Sequence, residues 1–143
     1  MPDFTLHRVT ADDDTAALFA RIASEVFDHA VEPARLAAYL ADPAHLLVVA
    51  MAGDGEMIGM AMAVIHLHPD KVDELYVDEI GVTAGWRRRG VAKALMAELF
   101  AWGKERGCGH VWVGTEPDNG PANALYASLG LPSYTAILYE GDF

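Results

Sequence analysis

The sequence predicts an α/β (α+β) fold, a mixed sheet of about six strands with helices on both faces. Three observations carry that expectation. Apolar segments with strand or helix spacing succeed one another as strand, two helices, three strands, helix, strand, helix, strand. A strand ending at Val82 runs through a glycine-bearing turn into a long amphipathic helix, a unit whose next strand should lie parallel after a right-handed crossover. A chain of 143 residues with 52% apolar content can bury one core and is too short for two ordinary domains, so residues 1–143 are expected to form a single domain.

Phe4 to Val9 alternates as a first strand. Asp12, Asp13 and Asp14 then offer N-cap and first-turn carboxylates to a helix whose apolar face carries Leu18, Ile22, Val26 and Phe27. Pro33 opens a second helix through Leu36, Tyr39 and Leu40, which stops near Asp42-Pro43. Leu46 to Ala50 and Met57 to Ile65 flank Gly53-Asp54-Gly55 and read as a hairpin, and Leu75 to Val82 is the next strand. After Gly90, the residues Val91, Ala94, Leu95, Leu99 and Trp102 recur at helical spacing until Gly107 and Gly109 end the run. His110 to Gly114 is a short strand, and the turn from Pro117 to Pro121 starts a helix through Ala122, Leu125, Tyr126 and Leu129 that finishes at Gly130. A terminal strand through Tyr134, Ile137 and Tyr139 is expected after Pro132.

The formal net charge is −11, from 21 acidic and 10 basic side chains, which argues against nucleic acid or an anionic membrane as partner and favours a cationic one. The bases cluster: Arg87, Arg88, Arg89, Lys93, Lys104 and Arg106 follow closely on the acids Asp70, Asp73, Glu74, Asp78 and Glu79. Cys108 is the only cysteine, and neither a leader-like N-terminus nor an apolar run of about 20 residues is apparent, so a cytoplasmic location is expected.

The turn Arg87-Arg88-Arg89-Gly90-Val91-Ala92 aims unpaired helix N-terminal amides and the positive end of a helix dipole at one spot, an anion cradle. A nucleotide-triphosphate loop would need Gly-Lys followed by Ser or Thr, whereas Gly90 is followed by Val91-Ala92-Lys93. The Arg87 spacing (Arg, Gly two residues past the next, then Ala) combines with a second cluster, Asn119-Gly120-Pro121-Ala122-Asn123-Ala124-Leu125-Tyr126 closing at Leu129-Gly130. Together they resemble the GNAT superfamily of GCN5-related N-acetyltransferases. From Glu74 to Val82 and from Asp118 to Gly130 the pattern looks most like the small aminoglycoside 3-N-acetyltransferases.

That resemblance implies acetyl-CoA as acetyl donor, with no metal, and direct transfer to a primary amine of a small cationic acceptor, aminoglycoside-like or polyamine-like. It implies that Ile80, Gly81 and Val82 with Arg87, Arg88, Arg89, Gly90, Val91, Ala92 and Lys93 hold the donor, the turn taking its pyrophosphate on backbone amides. It also implies that Asn119 and Ala122 contact the cofactor arm and that Tyr126 protonates the departing sulfur. The Val82 amide is expected to stabilise the oxyanion. An Asp of the 3-N enzymes falls at Glu79, which keeps the charge on a longer side chain; Glu79 is the first choice for the base that deprotonates the amine, and Asp78 the second. Plain strand alternation places Glu74, Tyr76, Asp78 and Ile80 on one face and Leu75, Val77, Glu79 and Gly81 on the other, a phase that a bulge near Gly81 would alter.

Tyr39, His29, Glu32, His66 and His68 are further acceptor-site candidates. Two histidines at strand alternation without a third nearby ligand are a weak metal signal, and Cys108 is expected to be structural. Family members often pair through their C-terminal strands, which makes a homodimer an expectation. Acetylation of a protein or peptide amine, and a catalytically inactive CoA-binding sensor, are the alternative readings.

Overall fold

Apolar alternation in five segments resolves into a single sheet in the computed structural model, which describes residues 3–143. The strands are β1 (Phe4–Arg8), β2 (His45–Ala52), β3 (Met57–His66), β4 (Glu74–Val82) and β5 (His110–Val113), side by side in chain order. The first three pairings are antiparallel and β4 pairs with β5 in parallel, as the connecting helix α3 (Val91–Glu105) requires. The other helices are α1 (Thr15–Leu18), α2 (Pro33–Ala41) and α4 (Gly120–Ser128).

The two faces of the sheet are covered differently. On one, Val91, Leu95, Met96, Leu99 and Trp102 of α3 pack against Leu46, Val48, Ile58, Ala61, Leu75 and Val77, with Leu125, Tyr126 and Leu129 of α4 at the margin. On the other, Leu47, Val49, Met57 and Met60 are roofed by Val26, Leu18, Phe19 and Ile22 and by Leu36, Tyr39 and Leu40 of α2. Helices therefore lie on both faces, as the pattern predicts. Among the described residues, no helix is long and apolar enough to cross a membrane, and no group of three or more His, Cys, Asp or Glu side chains is placed to hold a metal ion.

Three expectations change. The helix expected to run past Leu18 to Phe27 is a single turn ending there, capped by the Asp14 carboxylate on the Ala17 amide at 3.1 Å. Beyond it the backbone is taken by the start of β3: the Met57 amide donates to Arg21 O and the Ala23 amide to Met57 O, so Ile22 forms a parallel bridge to Met57. Pairing with an open strand edge outcompetes local helix formation, because a helix of this length is marginal without tertiary packing even where its residues favour it. The terminal strand is absent. Beyond the Leu131 amide, which donates to Tyr126 O, residues 132–143 follow no regular structure and do not pair with the outer edge of β5. The sheet accordingly has five strands rather than about six.

The third change concerns phase. Met62 pairs with Glu79 but Ala63 with Val77, so Asp78 is an extra residue, a bulge. Leu75 and Val77 before it, and Ile80 and Val82 after it, all pack toward α3. Glu79 and Gly81 are thereby turned onto the same face as Tyr76. Simple alternation put Glu79 opposite Tyr76 and Ile80 beside it; the bulge lies three residues earlier than the Gly81 position expected from sequence.

Candidate active site

The β4–β5 ladder runs only from Glu74 and His110 to Val77 and Val113, whereas the β3–β4 ladder continues to Val82. From Asp78 onward the outer edge of β4 is therefore unpaired, and the two parallel strands part into a wedge. Amide directions alternate along a strand. The Thr83 amide donates to Ile58 O of β3 at 3.0 Å, which turns the Val82 amide toward the wedge.

The wedge opens onto the N-terminus of α3. Gly90 caps it at φ 83°, a left-handed conformation in which a Cβ would be strained, and the space where that Cβ would sit is empty. The first helical bond is made by the Ala94 amide to Gly90 O, so the amides of Val91, Ala92 and Lys93 have no carbonyl one turn back to donate to. Their combined dipole favours an anion. The residues present thus fit a diphosphate: free amides, a glycine whose missing side chain leaves room, and cations around them.

Those cations are not equivalent. The Arg87 Nε donates to Val82 O at 3.2 Å while its Nη2 pairs with Glu25. Arg89 stacks on the Trp86 ring with its guanidinium carbon 4.2 Å from the centroid and lies 3.6 Å from Asp3. Arg88, at φ 61°, and Lys93 are exposed and form no ion pair among the described residues.

On the far side of the wedge, α4 begins where Asn119 Oδ1 accepts the Ala122 amide at 3.2 Å, so Asn119 is the N-cap; its Nδ2 has no protein acceptor among the described residues. Tyr126, one face further along, is half-buried against the α3 core, and burial pushes its phenol above the ordinary value. Its hydroxyl has no hydrogen-bond partner among the described residues, unlike that of Tyr39, which donates to Leu46 O at 2.8 Å. Tyr39 is consequently a structural residue of the α2 face rather than a free acceptor-site hydroxyl.

Across β4 from α3, the segment 25–28 lies directly on Gly81: an added Cβ there would stand 2.3 Å from Val26 O and 3.1 Å from Glu25 O. Glu25 adopts φ 68°, uncommon for a residue with a side chain, and its carboxylate takes Arg87. This contact brings Asp28 over Glu79. Desolvation first, then a hydrogen bond with Asp28 and the charges of Asp28 and Asp78, push the Glu79 carboxyl up to about 7. Asp78 is exposed on the bulge. Of the residues named from sequence, Asp78, Glu79 and Val82 thus lie on the unpaired end of β4 and Gly90 at the α3 N-terminus, while Tyr126 packs on the α3-side core. His29 is exposed and Glu32 is bound to Arg35 at 2.7 Å. His68 is drawn to Glu74 at 2.6 Å, and His66 stacks on Tyr76. Asp28 and Glu25 are missed by sequence reasoning; the acidic loop residues Asp28 and Glu32 flank the named His29, but only the contact on Gly81 singles out Asp28. A hollow of about 180 Å³ lies elsewhere, between the end of α3 and β5, lined by Leu75, Phe100 and Cys108.

Comparison with known proteins shows the family. Residues 12–131 match the model of the acetyltransferase (GNAT) family. The chain is 32% identical to aminoglycoside N(6′)-acetyltransferase type 1 of Salmonella typhimurium, over 71% of this chain and 77% of that one. It is 30% identical to streptothricin acetyltransferase of Streptomyces lavendulae over 65% of this chain, and spans about half (49%) of that relative's length. Its fold matches that of AAC(6′)-Iy, solved with a CoA–acetylneamine bisubstrate analogue, with a TM-score of 0.77 and 24% identity over 98% of each chain. The Salmonella relative is named for the 6′ amine, so the likeness extends to aminoglycoside acetyltransferases and not to the 3-N subtype in particular. With a family match over most of its length, this chain belongs to the GNAT family of acetyl-CoA-dependent acetyltransferases.

Proposed function

We propose that the protein acetylates a primary amine of a small cationic acceptor, aminoglycoside-like or polyamine-like, within a ternary complex. The observation that carries this reading is the carboxyl cluster: the bulge at Asp78 turns Glu79 off the α3 face at the unpaired end of β4, beside Asp28, where burial and its neighbours push its carboxyl up to about 7. A group that titrates near neutrality accepts a proton from an ammonium group and releases it again at working pH. The two neighbouring carboxylates attract a multiply charged cation.

Acetyl-CoA supplies an activated acyl group as a thioester. Val91, Ala92 and Lys93 amides with Arg88 and Lys93 side chains hold its diphosphate in this reading, and Asn119 and Ala122 contact its arm. Ile80 and Gly81 shape the wall of the wedge. Arg87 contributes by fixing the Val82 carbonyl and Glu25, and Arg89 by its stack on Trp86, more than by direct contact with phosphate. Glu79 takes the proton of the attacking amine, the Val82 amide donates to the oxygen that gathers negative charge, and Tyr126 delivers its proton to sulfur. A raised phenol pKa keeps Tyr126 protonated at neutral pH, as a proton donor must be.

Thiol release from acetyl-CoA, measured with neamine, kanamycin, spermidine and a lysine peptide, tests the activity. Release with cationic small amines is expected. Release with the peptide alone would move the function to protein acetylation, and CoA binding without release for any amine would make the chain a sensor. Proton NMR of the product decides which amine of an aminoglycoside, 6′ or 3, is modified. Tyr126→Phe should lower kcat about 10- to 100-fold while the Kd of CoA changes less than about twofold; an unaltered kcat would remove Tyr126 as the acid.

A homodimer through the tail belongs to the same reading. Tyr134, Ile137, Leu138 and Tyr139 are 77–88% exposed, and the outer edge of β5 has no neighbouring strand. Sedimentation at micromolar concentration should show a dimer that Ile137→Asp converts to monomer. A wild-type monomer would end this part of the proposal.

A further inference from the structure

On the sheet face that carries Glu79, three neighbouring strands each contribute one ring. Tyr76 of β4 and Trp112 of β5 are direct partners in the parallel ladder, with ring centroids 4.2 Å apart and planes inclined at 34°. His66 of β3 stacks on Tyr76 at 5.3 Å and lies 6.0 Å from Trp112. The row sits at the closed end of the wedge, one ladder step before β4 and β5 part at Val77 and Val113.

Two features set this row apart from core. Trp112 remains 40% exposed, and α4, the next element along the chain, packs its Leu125, Tyr126 and Leu129 on the opposite face toward α3. The row is also continuous with the carboxyl cluster: Asp78 is close enough to Tyr76 to help raise its phenol pKa, after burial, and the bulge turns Glu79 to the same side. An aromatic surface beside carboxylates is complementary to an ammonium-bearing ring, whose C–H face can lie on the π surface while its amines meet the acids. A linear polyamine can bring an ammonium group to the same π surface but has no ring face to cover it, so it gains less from the row.

From this placement we infer that Trp112, backed by Tyr76 and His66, is a ring-binding subsite that selects aminated sugar or aminocyclitol acceptors over linear polyamines. The inference rests on Glu79 as the position of the reacting amine, and it names what lies next to that amine. Trp112 acts on specificity and takes no part in proton transfer.

Calorimetry separates the subsite from the activity. Neamine, spermidine and acetyl-CoA are titrated into the wild type, Trp112→Ala, Trp112→Leu and Trp112→Phe. Leu preserves apolar packing but has no π face, so it covers the case in which Ala fails to fold. The Kd of neamine should rise about 10-fold in the Ala and Leu variants and stay within about threefold in Phe, with spermidine changing less than about threefold and acetyl-CoA unchanged throughout. Equal loss for neamine and spermidine, retained neamine affinity in Leu, or no neamine binding by the wild type would each overturn the subsite. So would dissociation of a dimer by Trp112→Leu with neamine affinity unchanged, since Trp112 would then be an interface residue. Trp112-dependent neamine binding without any acetyl transfer would leave the subsite standing and refute the acetyltransferase reading.

Discussion

Replacing Glu79 with Gln is expected to reduce kcat/KM for the amine about 100-fold or more at pH 8, because the variant keeps the shape of the site and loses its proton acceptor. The wild-type profile should rise through an apparent pKa of about 7 and level off above it, the base being competent only when ionised. The variant should lack that limb, so its deficit should be greatest on the alkaline side. Asp78→Asn, on the exposed bulge, should have a smaller effect. A larger loss in Asp78→Asn, or a Glu79→Gln profile that still rises through neutrality, would transfer the role to another group.

The same substitution has a consequence for stability of opposite sign. The folded-state pKa of Glu79 lies above the ordinary glutamate value, so the folded protein binds this proton more tightly than the unfolded chain. The resulting stabilisation is full below the ordinary pKa and is lost as pH rises through about 7. Above that, three neighbouring carboxylates repel one another, and Glu79→Gln should be more stable than wild type by about 1 kcal/mol after solvent screening. Melting at pH 5 and pH 8 checks this: the variant should gain only at the higher pH. An active site held together against its own charge is a common compromise between stability and activity.

Gly81→Ala is the second large effect. A Cβ placed 2.3 Å from Val26 O meets backbone, which cannot rotate aside, so segment 25–28 must lift or β4 must shift. Overpacking of this kind costs about 1–3 kcal/mol, read from urea denaturation. The functional result is more diagnostic than the stability. Moving the segment takes Asp28 away from Glu79, so the apparent pKa of the pH profile should fall toward the ordinary glutamate range. An unaltered profile in a destabilised variant would show that Asp28 does not tune the base. Gly90 is a glycine for a different reason: its φ of 83° disfavours any side chain although space is free.

Much of this architecture is legible from side-chain periodicity. Val91, Leu95, Leu99 and Trp102 recur on one face and are buried as one face, and the Gly53-Asp54-Gly55 turn joins two antiparallel strands. Pro33 and Asn119 mark helix starts because a fixed φ and a short polar cap act locally. Local signals fail where a distant backbone competes. Residues 21–23 have a helical apolar pattern yet pair with Met57, and the tail from Tyr134 to Tyr139 has a strand pattern yet stays exposed and joins no ladder.

By itself, then, the sequence determines the order of the elements, the parallel crossover around Gly90, the donor family and the short list of acids on β4. These follow from properties carried within about one turn or one strand: periodicity, capping and motif spacing. The tertiary structure decides which acid is raised and by what, because the bulge at Asp78 exists only as a mismatch with β3 and Asp28 reaches Glu79 only through the contact on Gly81. It likewise gathers His66, Tyr76 and Trp112 into one surface. Strand register and burial are relations between segments far apart in the chain, and a side chain's chemistry in this site depends on them.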